Sequence, residues 1–172
     1  VGGGAAAVIG IFDYAVKAGG THLSVAFSLP VLLDVIIGGI TFSGSLIATG
    51  KLSGHVPGKP ITFPGARLVN VLVVIAILVA AWLMIGLPTN VWFMVLGLIA
   101  SLVFGLLMTL PIGGADMPVV VSLLNAFTGL AVAFAGFVID NQVLIIAGAL
   151  VGAAGTILTL QMADAMNRSV AN

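Results

Sequence analysis

Long apolar segments, separated by short clusters of glycine, proline and charged residues, dominate this sequence. The mean hydropathy is +1.34 and only 6% of the 172 residues are charged, whereas a soluble domain carries about 25% charged residues. A helix that spans a bilayer needs roughly 20 apolar residues, and the alternating pattern of a membrane β-barrel is missing from the sequence. The sequence therefore predicts an all-α, polytopic bundle of about six transmembrane helices.

Six hydrophobic segments are predicted to form these helices, and each long one is apolar around nearly its whole circumference, as lipid-embedded helices should be. The first is only about 24 Å long at 1.5 Å per residue, which is short for a full span, so we expect it to lack its beginning. Pro30 should either kink the second helix or mark its true start. Asp140 and Asn141 predict a tight final turn. The segments are 3–18, 23–49, 66–85, 91–110, 117–139 and 142–165.

Basic residues are distributed unevenly between the two sides of the predicted bundle. Six spans place four of them on one side and one on the other, and segments rich in Lys and Arg remain in the cytoplasm. We therefore expect a cytoplasmic C-terminus, with Asp116 at the inner surface and Asp34 and Asp140 towards the outside. The four basic residues are Lys51, Lys59, Arg67 and Arg168, and the fifth is Lys17.

The composition argues against several classes of function. The formal net charge is zero, and no basic stripe suggests nucleic-acid binding. The chain has no cysteine, which excludes disulfides and thiolate chemistry. His22 and His55 both fall near predicted loops, without metal-ligand spacing. No serine has a nearby His and Asp, so nucleophilic catalysis has no support.

Two glycine patterns predict close helix packing. Gly2, Gly4 and Ala7 have the spacing of a dinucleotide-binding loop, but no strand precedes them and no soluble helix follows. The last segment presents a small-residue face comprising Gly148, Ala149, Gly152, Ala153 and Gly155. Small residues let helices approach closely in lipid. The alternative for the last segment is a helix that rotates or slides.

Asn125 is the most informative polar residue of the sequence. It lies eight positions after Met117, about 12 Å into its helix, where a carboxamide must find partners or water. It could form an interhelical hydrogen bond, or it could be one of the hydrogen-bonding groups along a proton or ion path. Because an amide does not titrate near neutral pH, Asn125 could organise water but not store the proton.

Other polar residues leave similar alternatives open. Asp116 could cap its helix, or it could form a salt bridge or gate at the cytoplasmic mouth. Asp34 is expected to be exposed at the interface, with an outer proton entry as the alternative. Thr156 and Thr159 could line a water path or bond their own helix backbone. Ser45 belongs to a group of hydroxyl-bearing residues and glycines that could serve either close helix packing or a hydrated contact between helices.

Four blocks resemble the membrane domain of proton-translocating NAD(P) transhydrogenase, beta subunit. They occur in the family's order and extend over nearly the whole chain. They are GITFSGSLIATGKL at 39–52, GGADMPVVVSLLN at 113–125, GALVG at 148–152 and AMNRS at 165–169.

The resemblance implies a proton-conducting membrane domain, spanning residues 1–172, of an enzyme that couples hydride transfer between NADH and NADP to proton movement. It implies proton-path roles for Asn125 and Asp116 and a hinge role for Arg168. NAD and NADP would bind soluble domains outside this chain, which itself would hold no cofactor. The implied partners are membrane lipid, alpha-subunit helices and those soluble domains, in a dimer of assembled protomers in a bacterial inner membrane.

One departure from the family pattern concerns a channel histidine. Many members carry it a few residues before the position of Val1, and His22 does not match that position. We therefore expect the protonatable group to come from a preceding segment or a partner subunit. A substrate permease and a purely structural membrane subunit are the two alternative functions. A permease would show internal repeats and a broken helix, neither of which is clear, and a structural subunit would need Asn125 for assembly alone.

Overall fold

The structure is a computed structural model that describes residues 1–17, 24–86 and 91–168. Within these ranges it contains six α-helices, one short 3-10 helix at Gly114–Asp116, and no strand, which confirms the predicted all-α bundle. The helices are α1 (Gly2–Lys17), α2 (Val25–Leu52), α3 (Ala66–Gly86), α4 (Val91–Thr109), α5 (Met117–Val138) and α6 (Gln142–Ala165).

Five of these helices, α2 to α6, are long and apolar enough to cross a membrane, and the chain is an integral membrane protein. Helix α1 is shorter, at 16 residues, and packs antiparallel along the middle of α2, with Gly10 beside Asp34 and Gly3 beside Thr41. The predicted helix ends agree with the structure to within three residues wherever the chain is described. The predicted breaks after the first and third segments, at 17–21 and 86–88, lie outside the described residues except for Lys17 and Gly86, which end α1 and α3. His22 also lies outside them.

Local sequence explains where two helices begin. Helix α2 starts after Ser24 and continues through Pro30, so the prediction that Pro30 could mark its start is wrong. Asn141 begins α6, because its side-chain Oδ1 accepts hydrogen bonds from the backbone N–H groups of Val143 and Leu144 at 3.0 and 3.3 Å. Asp140 precedes it with φ of 54°, a left-handed conformation that Asp adopts more readily than most residues. The predicted tight turn is confirmed.

Helix α2 is the centre of the bundle. It packs against α1, α4 and α5 and makes a smaller contact with α3, while α6 packs mainly against α5. At the α1 contact, a Cβ atom added to Gly3 would lie 3.1 Å from the carbonyl oxygen of Gly38. The glycine-rich start of the chain is therefore a helix-packing surface, as predicted.

Helices α5 and α6 touch backbone to backbone. A Cβ atom on Gly129 would overlap the main chain of Gly148 and Gly152, and one on Gly155 would lie 2.9 Å from the Cα atom of Ala126. The packing interpretation of the last helix is confirmed for its glycines. Ala149 and Ala153 are exposed in this chain and do not belong to that contact.

Candidate functional site

The ends of α2, α4 and α6 and the starts of α3 and α5 lie together, and we call this region the Lys51 end of the bundle. The loop after α2 crosses the α4–α5 connection there. The backbone N–H of Ile61 donates to the carbonyl of Leu110 at 3.1 Å, and that of Gly114 donates to Gly58 at 2.8 Å. The four basic residues assigned to one side by the sequence are all in segments that meet at this end.

Lys51 ties these segments together. Its side chain is only 5% exposed, and its Nζ donates to the carbonyl oxygens of Leu110 and Ile112 at 2.5 and 2.7 Å and, more weakly, to that of Thr109 at 3.5 Å. The carbonyl of Thr109 ends α4 and the other two follow it directly, and the dipole at a helix C-terminus favours a cation. Sequence reasoning counted Lys51 only as a charge on one side and missed this role.

Asp116 and Arg168 form an ion pair at the same end. Arg168 Nε lies 3.3 Å from Asp116 Oδ1, and the two side chains are 64% and 32% exposed, respectively. Asp116 occupies the N-cap position of α5, but its side chain makes no cap hydrogen bond. The capping interpretation is therefore wrong, and the salt-bridge alternative describes the residue.

The end of α6 explains why Arg168 reaches Asp116. Asn167 adopts a left-handed φ of 53°, its N–H donates to the carbonyl of Asp164 at 3.0 Å, and the N–H of Arg168 donates to that of Ala163 at 2.9 Å. This pair of bonds forms a Schellman motif, which ends a helix at a residue in the left-handed conformation. The side chain of Arg168 is thereby placed beside the start of α5.

Asn125 lies on a surface of α5 that no other described helix of this chain covers. Its side chain is exposed and lines an open cavity of about 430 Å³ between α5, α6 and the end of α2. Apart from Asn125 and Ser122, the lining side chains are apolar: Leu52, Pro118, Val121, Leu158 and Met162. We call this cavity the Asn125 groove.

A pair of buried hydroxyl groups lies beside this groove. Thr159 Oγ1 is 2.7 Å from the carbonyl oxygen of Gly155 and 3.1 Å from Ser122 Oγ, which is itself 3.3 Å from the Gly155 oxygen. These contacts join α5 to α6 one helical turn from Asn125. Sequence reasoning singled out Thr159 but not Ser122, which gives no signal beyond its position three residues before Asn125.

The remaining candidates do not join the Asn125 groove. Thr156 is exposed and donates to the carbonyl of Gly152 at 2.8 Å, which is the own-helix alternative. Ser45 is half-buried in α2 and does not line the groove. In the ranges that the structure describes, no group of three or more His, Cys, Asp or Glu residues could hold a metal ion.

Asp34 departs most from expectation. It was expected to be exposed at the interface, but its side chain is 0% exposed. Neither carboxyl oxygen has a hydrogen-bond partner among the described residues. Asp34 belongs to a helix that is apolar on every side, and the sequence alone does not show which face of such a helix turns inward. The burial of Asp34 could therefore not be predicted.

This architecture is that of a polytopic helical membrane domain with a few placed polar groups. The chain matches the family model of the NAD(P) transhydrogenase beta subunit over residues 1–172 and belongs to that family. Two curated relatives named NAD(P) transhydrogenase subunit beta, both from Rhodospirillum rubrum and one from a specified strain, are each 46% identical over 140 residues. The alignment covers 81% of this chain and 30% of each relative's length.

Proposed function

We propose that this chain is the proton-conducting membrane part of a transhydrogenase, which couples hydride transfer between NADH and NADP to proton movement across the membrane. Family membership supports the reaction class, and the single observation that carries the conducting role is the Asn125 groove. The nucleotides would bind soluble domains outside residues 1–172, and this chain would hold no cofactor. A bacterial inner membrane is the proposed location.

The exposure of Asn125 argues for a further polar surface opposite it. Residue 125 lies about 12 Å from the start of α5, at a depth where an unpaired amide facing hydrocarbon costs several kcal/mol. Alpha-subunit helices that line a hydrated path would cover the groove and remove this cost. Asn125 would then orient water molecules through its donor and acceptor atoms while remaining neutral.

The Asp116–Arg168 pair supports a coupling role at the Lys51 end. It joins the start of α5, which carries Asn125, to the residue that follows α6. The guanidinium group stays charged at any relevant pH, so Arg168 would act by making and breaking contacts rather than by carrying a proton. A nucleotide-binding domain attached beyond this point could open or close the pair, which makes Arg168 the proposed hinge. The assembled protomers would form a dimer.

Replacing Asn125 with leucine in the complete enzyme tests the conducting role. Proton uptake into inverted vesicles should fall sharply, while the amount of assembled complex in the membrane stays unchanged. Val121→Leu is the matched control, because Val121 lines the same groove on the same helix but has no polar group. Normal proton uptake by Asn125→Leu would refute the path role. Loss of assembly would favour a purely structural role.

The proposed orientation places the Lys51 end in the cytoplasm. Since the chain has no cysteine, Lys59→Cys and Asp140→Cys each introduce a single thiol in this chain. In intact cells a membrane-impermeant thiol reagent should label position 140 and leave position 59 unlabelled, because loops rich in basic residues stay inside. Labelling at 59 with protection at 140 would reverse the topology.

A further inference from the structure

The carboxyl group of Asp34 is the deepest buried acidic group of the described chain. It lies nine residues after Val25 and 17 before Lys51, which places it about 13 Å from one end of α2 and about 25 Å from the Lys51 residue along the helix axis. Neither oxygen finds a hydrogen-bond partner in the ranges described. Ionisable groups inside a membrane are costly and are usually functional.

Helix α1 closes one side of this carboxyl group. A Cβ atom on Gly10 would lie 2.7 Å from Asp34 Oδ2 and 3.1 Å from Val35 Cγ2, so the carboxyl fits there only because Gly10 has no side chain. The surrounding packing is apolar. Tyr14, which is 0% exposed, packs with Val31 and Val35 in the neighbouring hydrophobic cluster.

The helices packed against α2 bring no charge to this position. On α1, Asp13 and Lys17 pair with each other at 2.7 Å and are partly exposed, and Tyr14 is the remaining titratable group. On α3 the only charged residue is Arg67, in its first turn at the Lys51 end. Helices α4 and α5 contain no titratable residue. Among the described residues, an ionised Asp34 would therefore be a buried charge without a counter-ion, which costs far more than a buried neutral acid.

A second buried polar group lies on the outer side of Asp34. Ser28 is 1% exposed, and its hydroxyl also lacks a partner among the described residues. In the described part of the chain, three of the four buried side-chain atoms without partners belong to Asp34 and Ser28, and the fourth is Oδ1 of Asn70. Buried polar groups are paired in nearly all structures, and exceptions call for an explanation. The bundle interior beside the stretch of α2 from Val25 to Asp34 therefore contains two polar side chains whose oxygens lack hydrogen-bond partners among the described residues.

We propose that Asp34 is a proton-binding group that exchanges its proton with the solution at the Val25 end of the bundle, past Ser28. The inference rests on the proposed function, because the proton would then continue along the conducting route towards the Asn125 groove. The chemistry is a simple protonation: an O–H bond forms on one carboxyl oxygen when a proton arrives from water and breaks when the proton passes to the next acceptor. No oxidation or reduction is involved.

Asp34→Asn in the complete enzyme is the principal test, because asparagine has the same shape and cannot take up a proton. Asp140→Asn is the matched control, since Asp140 is exposed at the same end of the bundle. Infrared spectra recorded across a pH series should show a C=O band of a protonated carboxylic acid that disappears at high pH. The band should be missing from Asp34→Asn and retained in Asp140→Asn.

Proton transport supplies the second readout. Asp34→Asn should reduce proton uptake into inverted vesicles about 100-fold, the lower end of what a positioned proton-transfer group contributes, and Asp140→Asn should leave it unchanged. Gly10→Ala should also impair uptake, because the added methyl group displaces the carboxyl. Gly4→Ala controls for packing damage in the same helix, since its Cβ would lie 2.7 Å from the Phe42 ring and away from Asp34.

The outcomes separate this proposal from the proposed function. Absence of an Asp34-dependent band at every pH, or a band that persists at every pH, would overturn proton exchange at Asp34. Unchanged proton uptake by Asp34→Asn would also overturn it, while leaving conduction by the chain intact. If the unmodified enzyme moved no protons, the proposed function would fail, yet a band that titrates and is lost in Asp34→Asn would still establish Asp34 as a proton-binding group.

Discussion

Replacing Lys51 with methionine should loosen the Lys51 end, because a single ammonium group holds the α4–α5 connection against the end of α2. Its Nζ donates to the carbonyl oxygens of Leu110 and Ile112 at 2.5 and 2.7 Å. Methionine keeps a flexible, unbranched side chain but has no donor. The substitution therefore removes the hydrogen bonds while retaining most of the packing volume.

The expected loss of stability depends on which hydrogen bonds the two carbonyl oxygens keep after the substitution. A hydrogen bond from a charged donor contributes about 1.5–3 kcal/mol. The Leu110 oxygen keeps the N–H of Ile61 at 3.1 Å, so the loss there falls at the lower end. The Ile112 oxygen has no second hydrogen bond within the described chain and is left unsatisfied. The net cost, after relief from burying the ammonium group, is about 3 kcal/mol, a large part of the roughly 5–15 kcal/mol that stabilises a typical protein.

Thermal unfolding of the purified complex in detergent, followed by helical circular dichroism, measures this loss. If this chain unfolds as one cooperative unit of 150–250 residues, about 3 kcal/mol lowers the Tm of that transition by roughly 6–12 °C. Lys59→Met is the control, because it removes the same charge from an exposed position at the same end and should shift Tm little. If Lys51→Met melted at the same temperature as Lys59→Met, the tethering role of the ammonium group would be refuted.

Four further predictions concern α5, α6 and the residues that flank them. Gly148→Val should prevent the close contact and destabilise the complex, whereas Ala149→Val, on an exposed position of the same helix, should be tolerated in the same melting assay. Arg168→Lys should impair proton-linked hydride transfer without lowering Tm, because an exposed ion pair contributes only about 0.2–1 kcal/mol; coupling equal to that of the parent would leave Arg168 as an interface anchor. Adding Asp116→Asn to Arg168→Lys should worsen coupling no further if the two residues act as a pair. Thr159→Val should cost about 1 kcal/mol of stability by removing one buried hydroxyl donor, and an unchanged Tm would contradict this.

Sequence reasoning located the helices accurately because their limits depend on local chemistry. Apolar length defines the spans, and the Asp140–Asn141 turn ends one helix and caps the next through the side chain of Asn141. The resemblance to the transhydrogenase beta subunit, confirmed by family membership, likewise rests on contiguous blocks of sequence. These features need no knowledge of which helices are neighbours.

The orientation of each helix could not be predicted in the same way. A helix that is apolar on every side has no hydrophobic face to turn inward, so nothing in the sequence showed that Asp34 and Lys51 are buried while Asn125 is exposed. The Asp116–Arg168 pair joins residues on different helices, and the Schellman motif that directs Arg168 depends on the conformation of Asn167. Their pairing was one of several open alternatives until the three-dimensional arrangement of α5 and α6 was known.

The backbone contact between α5 and α6 limits how genetic changes there can be compensated. An oversized residue in a protein core is often rescued by shrinking a neighbouring side chain, but a Cβ atom on Gly129 or Gly148 would meet main-chain atoms, which no second substitution can shorten. Suppressor screens on variants at these two positions should therefore return reversions. At Gly152 an added Cβ would lie 3.4 Å from the side chain of Leu130 and 3.5 Å from the carbonyl oxygen of Ala126, which are ordinary contact distances, so Gly152→Ala should be tolerated without a suppressor.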